Sequence, residues 1–291
     1  MQLSAHIYFP VMQGKTVVIT GATSGIGGVA AEKLAAMGAR IVFVARDKSR
    51  GESTLAQLRK LGPGIDHRVH YADLSRLSEM KRVAEEIAAA ESRIDVLMNN
   101  AGAIFDRRYV TEDGLERTFA LNHMSYFIVT QVLRERLLAT PGARIVNTAS
   151  DAHRDAKIDF QNLQLATGYG SLKAYCKSKL YNILFTRELA RQLQGTGVIA
   201  NSLHPGFVDT RFGNEGKGVG AVVFRVLKHL ALTPEKGART MIFLASSKEA
   251  GDKSGEYFHK CAPKTPTRAA QDDEAAKRLW AESARIAGIA G

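Results

Sequence analysis

Short runs of Val and Ile alternate along this chain with longer stretches whose apolar residues recur every three or four positions. That is the pattern of successive strand–helix–strand units. Lys15–Thr20 (KTVVIT) is an apolar strand that stops at glycines. Ile26–Met37 then places Ile26, Val29, Ala30, Leu34 and Met37 at helical spacing and ends at Gly38. The alternation predicts further strands at Arg40–Ala45, His67–Tyr71, Asp95–Met98, Arg144–Thr148, Val198–Leu203 and Glu256–His259. Helices are predicted at Ser49–Leu61, Ser75–Ala90, about Gly114 to Leu138, Leu172–Leu193, near Pro234–Ala245 and at Ala270–Ala287.

Strands that read as continuous apolar runs are buried on both faces, so helices must cover both sides of a parallel sheet. The expected fold is α/β: a single doubly wound domain over residues 13–291 with a seven-stranded parallel sheet. Residues 1–12 match no element and are expected to be a disordered extension or the product of an upstream start. Two stretches without clear period, about 151–170 and 207–232, are expected to supply substrate contacts.

Composition changes this picture little. Of 291 residues, 45% are hydrophobic and 24% charged, ordinary for a globular domain. The charge balance, 40 − 29 = +11, is high, but the Lys and Arg residues are scattered and not interleaved with aromatics. A basic solvated surface explains that better than nucleic-acid binding does. No apolar run reaches the ~18 residues of a membrane span. Two cysteines, Cys176 and Cys261, are too few for a disulfide framework, and a cytoplasmic location is expected. The eight histidines include no H-E-x-x-H and no Cys/His pairing at zinc spacing, so no metal is expected.

The candidate chemistry starts where strand one meets helix one, at Thr20-Gly21-Ala22-Thr23-Ser24-Gly25-Ile26-Gly27. Unpaired N–H groups and the dipole at a helix N-terminus attract phosphate, and glycines let the backbone approach it. A glycine turn after a strand and opening a helix therefore predicts a dinucleotide site. Tyr175 and Lys179 stand four apart on one helical face. A free phenol has a pKa near ~10, and a nearby ammonium supplying ~3–4 kcal/mol would bring it into acid/base range. Cys176 points about 100° away from Tyr175 and reads as a core or interface thiol. His204, before Pro205, reads as packed.

The G-x-x-x-G-x-G spacing resembles the short-chain dehydrogenase/reductase family. The resemblance extends through Asn99-Asn100-Ala101-Gly102, Asn122, Ser150, Tyr175-Cys-Lys-Ser-Lys179 and Pro205-Gly206. Val-Ala-Arg-Asp (44–47), Leu-Asn-His (121–123) and Arg-Leu-Trp-Ala-Glu-Ser (278–283) resemble its retinol-dehydrogenase-like branch. The resemblance implies a Rossmann fold and hydride transfer between a nicotinamide and an apolar alcohol, aldehyde or ketone. Tyr175 would be the acid/base, Lys179 its partner on the nicotinamide ribose, Ser150 the clamp on the substrate oxygen and Asn122 the holder of a relay water. Cofactor contacts would come from Gly21, Thr23, Ser24, Gly25, Ile26 and Gly27; from Asp73 and Leu74 at the adenine; from Asn100, Ala101 and Gly102; and from Pro205, Gly206, Val208 and Thr210 at the nicotinamide. The alternative for Asp73 is to cap the helix starting near Ser75. Arg46 suits a ribose 2′-phosphate, which predicts NADP(H), although Asp47 turned inward would permit NAD(H).

One departure stands out. Family members place the serine about a dozen residues before the tyrosine, whereas here the gap is 25. The inserted segment, Asp151–Gly170, is expected to roof the substrate pocket. Association through the two long central helices, as in the family, would give a homodimer or homotetramer. Two other functions fit the same residues: reduction of a carbon–carbon double bond, as in protochlorophyllide reductase, and a non-catalytic NADP-binding scaffold or sensor.

Overall fold

A computed structural model describes residues 12–206 and 232–289. The strands are β1 (Thr16–Thr20), β2 (Arg40–Ala45), β3 (Arg68–Tyr71), β4 (Val96–Asn99), β5 (Arg144–Thr148), β6 (Ile199–Leu203), β7 (Tyr257–His259) and β8 (Ala262–Pro263). They form one sheet in the order β3-β2-β1-β4-β5-β6-β7-β8. Strand order reverses between β1 and β4, and a crevice at the carboxyl ends of strands opens at such a reversal.

Side chains alternate across the sheet with period two. Val18, Leu97, Ile145 and Ala200 face one buried cluster, while Val17, Ile19, Val96, Met98 and Val146 face the other. Helices α1 (Gly25–Ala36), α2 (Lys48–Leu61) and α8 (Pro234–Ser246) cover the second face. On the first lie α3 (Leu77–Ala90), α5 (Ser125–Val132), α7 (Ser171–Gln192) and α9 (Asp273–Ala287). The doubly wound α/β fold is therefore as expected.

Two features differ, and a third adds to the expectation. First, the sheet has eight strands, not seven parallel ones. β8 runs antiparallel to β7, with His259 opposite Ala262. The two-residue loop between them, Lys260-Cys261, has φ of 50° and 63°. A tight hairpin needs positive φ at both central positions, normally signalled by Asn-Gly or Gly-Gly. Lys-Cys carries no such signal, so pattern alone could not find this turn.

Second, the long central helix is not continuous. It runs as α4 (Arg117–Phe119), a π-helical turn at Ala120–Met124, α5, and α6 (Arg134–Leu138). Single π turns inside helices mark functional sites, and this one carries Asn122.

Third, α9 covers α5 and α7 along Phe127 and Phe185. Ser125–Thr130 and Cys176–Thr186 are buried throughout. Trp280 of α9 lies 5.0 Å from the Phe127 ring and stacks at 5.7 Å and 15° on Phe185. Burying one such aromatic contributes roughly 1.5–3 kcal/mol. Asp272 caps α9 by accepting from Ala275 N at 2.9 Å, and Gly288, at φ 61°, ends it.

Part of the segment expected to form the roof, residues 160–165, is placed differently. Lys177 Nζ donates to Asn162 O at 2.9 Å and Tyr181 Oη to Leu163 O at 3.0 Å. At 100° per residue, both side chains leave α7 on the side away from Tyr175. Residues 160–165 thus wrap the back of the helix, because their apolar members Phe160 and Leu163 find the core there. Of the expected segments, 1–11 and 207–231 lie outside the described residues.

Candidate active site

The glycine turn leaves β1 at Thr20 and enters α1. Gly21 sits at φ 73°, and a Cβ there would lie 2.9 Å from Ala101 Cα. A Cβ on Gly27 would overlap the Gly21 carbonyl oxygen and the Asn100 amide. Only glycine fits at either position. Asn100 and Ala101 brace this turn from β4: both backbone N–H groups donate to Thr20 Oγ1, at 2.9 and 3.1 Å, and Asn100 Nδ2 donates to Gly21 O at 3.1 Å. Ser24, the N-cap of α1, makes no side-chain cap hydrogen bond, and the first turn holds no acid. A narrow cradle leading to a helix N-terminus with no acid and no side-chain cap fits a pyrophosphate.

Arg46 is exposed at the end of β2. Asp47 does not compete with it: Oδ1 accepts from Arg50 N at 2.8 Å, capping α2. The same turn brings Arg50, absent from the sequence-based site, to the glycine loop, where Nη2 donates to Thr23 O at 3.2 Å. Asp73 takes both donors of Ser75, at 2.8 and 3.0 Å, in a local turn. α3 begins two residues beyond Ser75, at Leu77, whose N–H is capped by Asp113 at 2.9 Å. Burial opposes ionisation of Asp73, but the Ser75 hydrogen bonds and the nearby Arg46 charge outweigh it and hold its carboxyl below the usual range. Leu74 beside it is buried.

At the carboxyl end of β5 the catalytic candidates converge. Lys179 Nζ donates to Thr148 O at 2.8 Å and lies 5.5 Å from the centre of the Tyr175 ring. Thr148 Oγ1 donates to Asn100 Oδ1 at 3.3 Å, whereas Ser150 hydrogen-bonds Tyr175. That separates the two hydroxyls at the strand end in favour of Ser150. Ser150 Oγ also accepts from Ala152 N at 3.2 Å as the cap of a 3-10 turn, Asp151–Asp155, so its own proton stays available for donation. Asn122 is wholly buried. Its Oδ1 accepts from Ala103 N at 2.9 Å, and Nδ2 donates to Ala103 O at 3.0 Å and Ser178 Oγ at 3.1 Å. Both amide protons are therefore used, and only an Oδ1 lone pair is left for a water. Gly102 lies between these groups: a Cβ there would be 3.2 Å from Asn122 Oδ1 and 3.7 Å from Lys179 Nζ.

The electrostatics correct one expectation. Burial pushes Lys179 down to about 7 and the Tyr175 phenol up to about 12, the latter opposed by the Ser150 hydrogen bond. Desolvation opposes the charged form of each group and is the main cause of both shifts, so the phenol of the polypeptide lies above rather than below its ordinary range. Cys176 is buried and pushed up to about 11, as suits a core thiol. His204, lowered to about 4 chiefly by burial, stacks on His259 with centroids 4.5 Å apart. Gly206 follows at φ 91°, donating its N–H to His204 Nδ1 at 3.3 Å. Val208 and Thr210 lie outside the described residues. Among those described, no group of His, Cys, Asp and Glu could hold a metal, and no helix is long and apolar enough to cross a membrane.

A glycine cradle at a strand-order reversal, beside a Ser–Tyr–Lys cluster, defines a nucleotide-dependent oxidoreductase. The short chain dehydrogenase family model matches residues 15–217. The human protein named retinol dehydrogenase 13 is 40% identical over 285 residues, covering 95% of this chain and 85% of that one. Among solved structures, an uncharacterised protein from Mycobacterium paratuberculosis superposes with a TM-score of 0.78 at 30% identity, covering 97% of this chain and 96% of that one. A short-chain dehydrogenase from Burkholderia cenocepacia in complex with NADP gives 0.68 at 25% identity, over 85% and 96%. The chain belongs to the short-chain dehydrogenase/reductase family, NAD(P)-dependent oxidoreductases of alcohol and carbonyl groups, and its relatives include retinol dehydrogenases.

Proposed function

We propose that this protein is an NADP(H)-dependent reductase/dehydrogenase that interconverts an apolar alcohol and its aldehyde or ketone, with Tyr175 as acid/base. The observation that carries the reading is the meeting of the Ser150 and Tyr175 hydroxyls above Lys179, across Gly102 from Asn122. When bound, the nicotinamide would supply the hydride donor or acceptor.

The Ser150 proton orients the substrate oxygen and stabilises charge developing on it. Tyr175 Oη gives a proton to that oxygen during reduction and takes it back during oxidation. Lys179 Nζ, anchored on Thr148 O, holds its charge below the phenol, and Asn122 Oδ1 faces the same space for a relay water. Arg46 and Arg50 favour the 2′-phosphate, since Asp47 is committed to its cap. The unpaired cysteines suit the reducing cytoplasm.

The test is a panel of aldehydes, ketones and secondary alcohols, including retinoids, with NADPH and NADH in parallel. Tyr175→Phe should lower turnover about 10²–10⁴-fold while NADPH affinity stays within about twofold. Comparable turnover in the variant would remove Tyr175 from the chemistry.

A further inference from the structure

The segment that carries Ser150 is held by groups the proposed reaction does not use. His153 is fully buried, and its ring bridges two backbones: Nδ1 lies 2.7 Å from Ser150 O, and Nε2 lies 3.2 Å from Thr267 N. A backbone N–H can only donate, so Nε2 must be the acceptor. The neutral ring then has its proton on Nδ1, aimed at the Ser150 carbonyl. Tyr257 packs against the imidazole at 5.1 Å and 70°, which fixes the plane of the ring. The next peptide is held the same way, with Asp151 N donating to His204 Nδ1 at 3.3 Å. Asp151 itself is drawn to Lys264 Nζ at 2.9 Å.

Thr267 and Lys264 reach this place because the chain reverses at Lys260-Cys261 and returns beside β7. Burial holds the His153 imidazole below its ordinary pKa, in keeping with a ring that must stay neutral to accept from Thr267. Each end of the imidazole therefore has a fixed direction.

We infer that His153 is a positioning residue for Ser150: its Nδ1–H clamps the Ser150 carbonyl so that the hydroxyl stays on Tyr175 and on the substrate oxygen. The inference rests on the oxidoreductase reading above. A bystander core histidine would need only its volume, whereas a clamp needs a donor at the Nδ1 position.

The two are separated by His153→Asn, His153→Gln and His153→Phe in the full chain, measured for kcat, KM and NADPH affinity with the best carbonyl of the panel. Asn puts an amide N–H close to the place of Nδ1, while Gln puts one near Nε2. The expected order is Asn within about threefold of the parent kcat, with Gln and Phe each lowered at least tenfold. NADPH affinity should be unchanged throughout. Equal kcat for Asn and Gln, or for all three and the parent, overturns the inference. If the Asn chain fails to bind NADPH, Thr267→Pro replaces it. Residue 267 has φ −66°, which proline accepts, and the proline Cδ takes the place of the amide proton, so the donor to Nε2 is lost and the imidazole is pushed off the Ser150 carbonyl. A fall in its kcat of a few fold with NADPH affinity kept supports the clamp, and an unchanged kcat overturns it. An inactive parent sinks the oxidoreductase reading and this inference together; an active parent with the wrong order sinks this inference alone.

Discussion

The two halves of the crevice are built by different means. In the cofactor half the key contacts are short in sequence: Asp47 caps onto Arg50 three residues on, and Asp73 binds Ser75 two residues on. Its longer links, from Thr20 to Asn100, join strands that are neighbours in the sheet. In the substrate half, Asp151 is tied to Lys264 across 113 residues and His153 to Thr267 across 114. One half follows from local turn chemistry and the β1–β4 pairing. The other also draws on the C-terminal segment that follows the hairpin.

This contrast can be broken most directly at Gly27. Gly27→Ala forces a methyl into the Gly21 carbonyl and the Asn100 amide, overpacking that typically costs about 1–3 kcal/mol. NADPH affinity should fall up to about 100-fold, while the fold, read by circular dichroism, stays. Unchanged affinity in titration calorimetry would mean the cradle does not hold the pyrophosphate.

Lys179 joins the halves and gives the next effect. Its folded pKa, about 7, lies below its ordinary 10.5, so between those values the unfolded chain binds more protons and the parent gains stability as pH rises. Lys179→Met removes that burden. It should raise Tm at pH 7, by about 2–4 °C per kcal/mol relieved, and the gain should fade as pH approaches 10.5. Turnover should fall about 10²-fold. A Tm gain independent of pH would show that packing, not charge burial, is responsible.

Arg46 sharpens the cofactor half alone. Arg46→Ala should reduce the preference for NADPH over NADH about tenfold or more, the worth of one charge-assisted hydrogen bond. kcat with NADPH at saturation should hardly move. An unaltered preference in parallel steady-state assays would shift the 2′-phosphate contact to Arg50.

Much of the fold was legible because it rests on period and punctuation. The TVVIT and RIVFVA runs had to be buried strands, and Gly38 had to end a helix. Asn122 is a poor residue for a helix interior, and the π turn falls on it. The hairpin at Lys260-Cys261 was silent because its positive φ values fall on residues that give no turn signal. Arg50 was overlooked because nothing local marks a side chain that reaches back to Thr23.

Taken by itself, the amino-acid order determined the doubly wound sheet, the glycine cradle and the four-residue spacing that sets Tyr175 over Lys179. These depend on hydrophobic period and on helix and turn geometry, which act over a few residues. Only the tertiary structure decided that Lys179 is turned to Thr148 O, that residues 160–165 pass behind α7, and that His153 bridges Ser150 to Thr267. Those outcomes depend on which buried donors and acceptors meet after distant segments have packed, and no local pattern encodes that pairing.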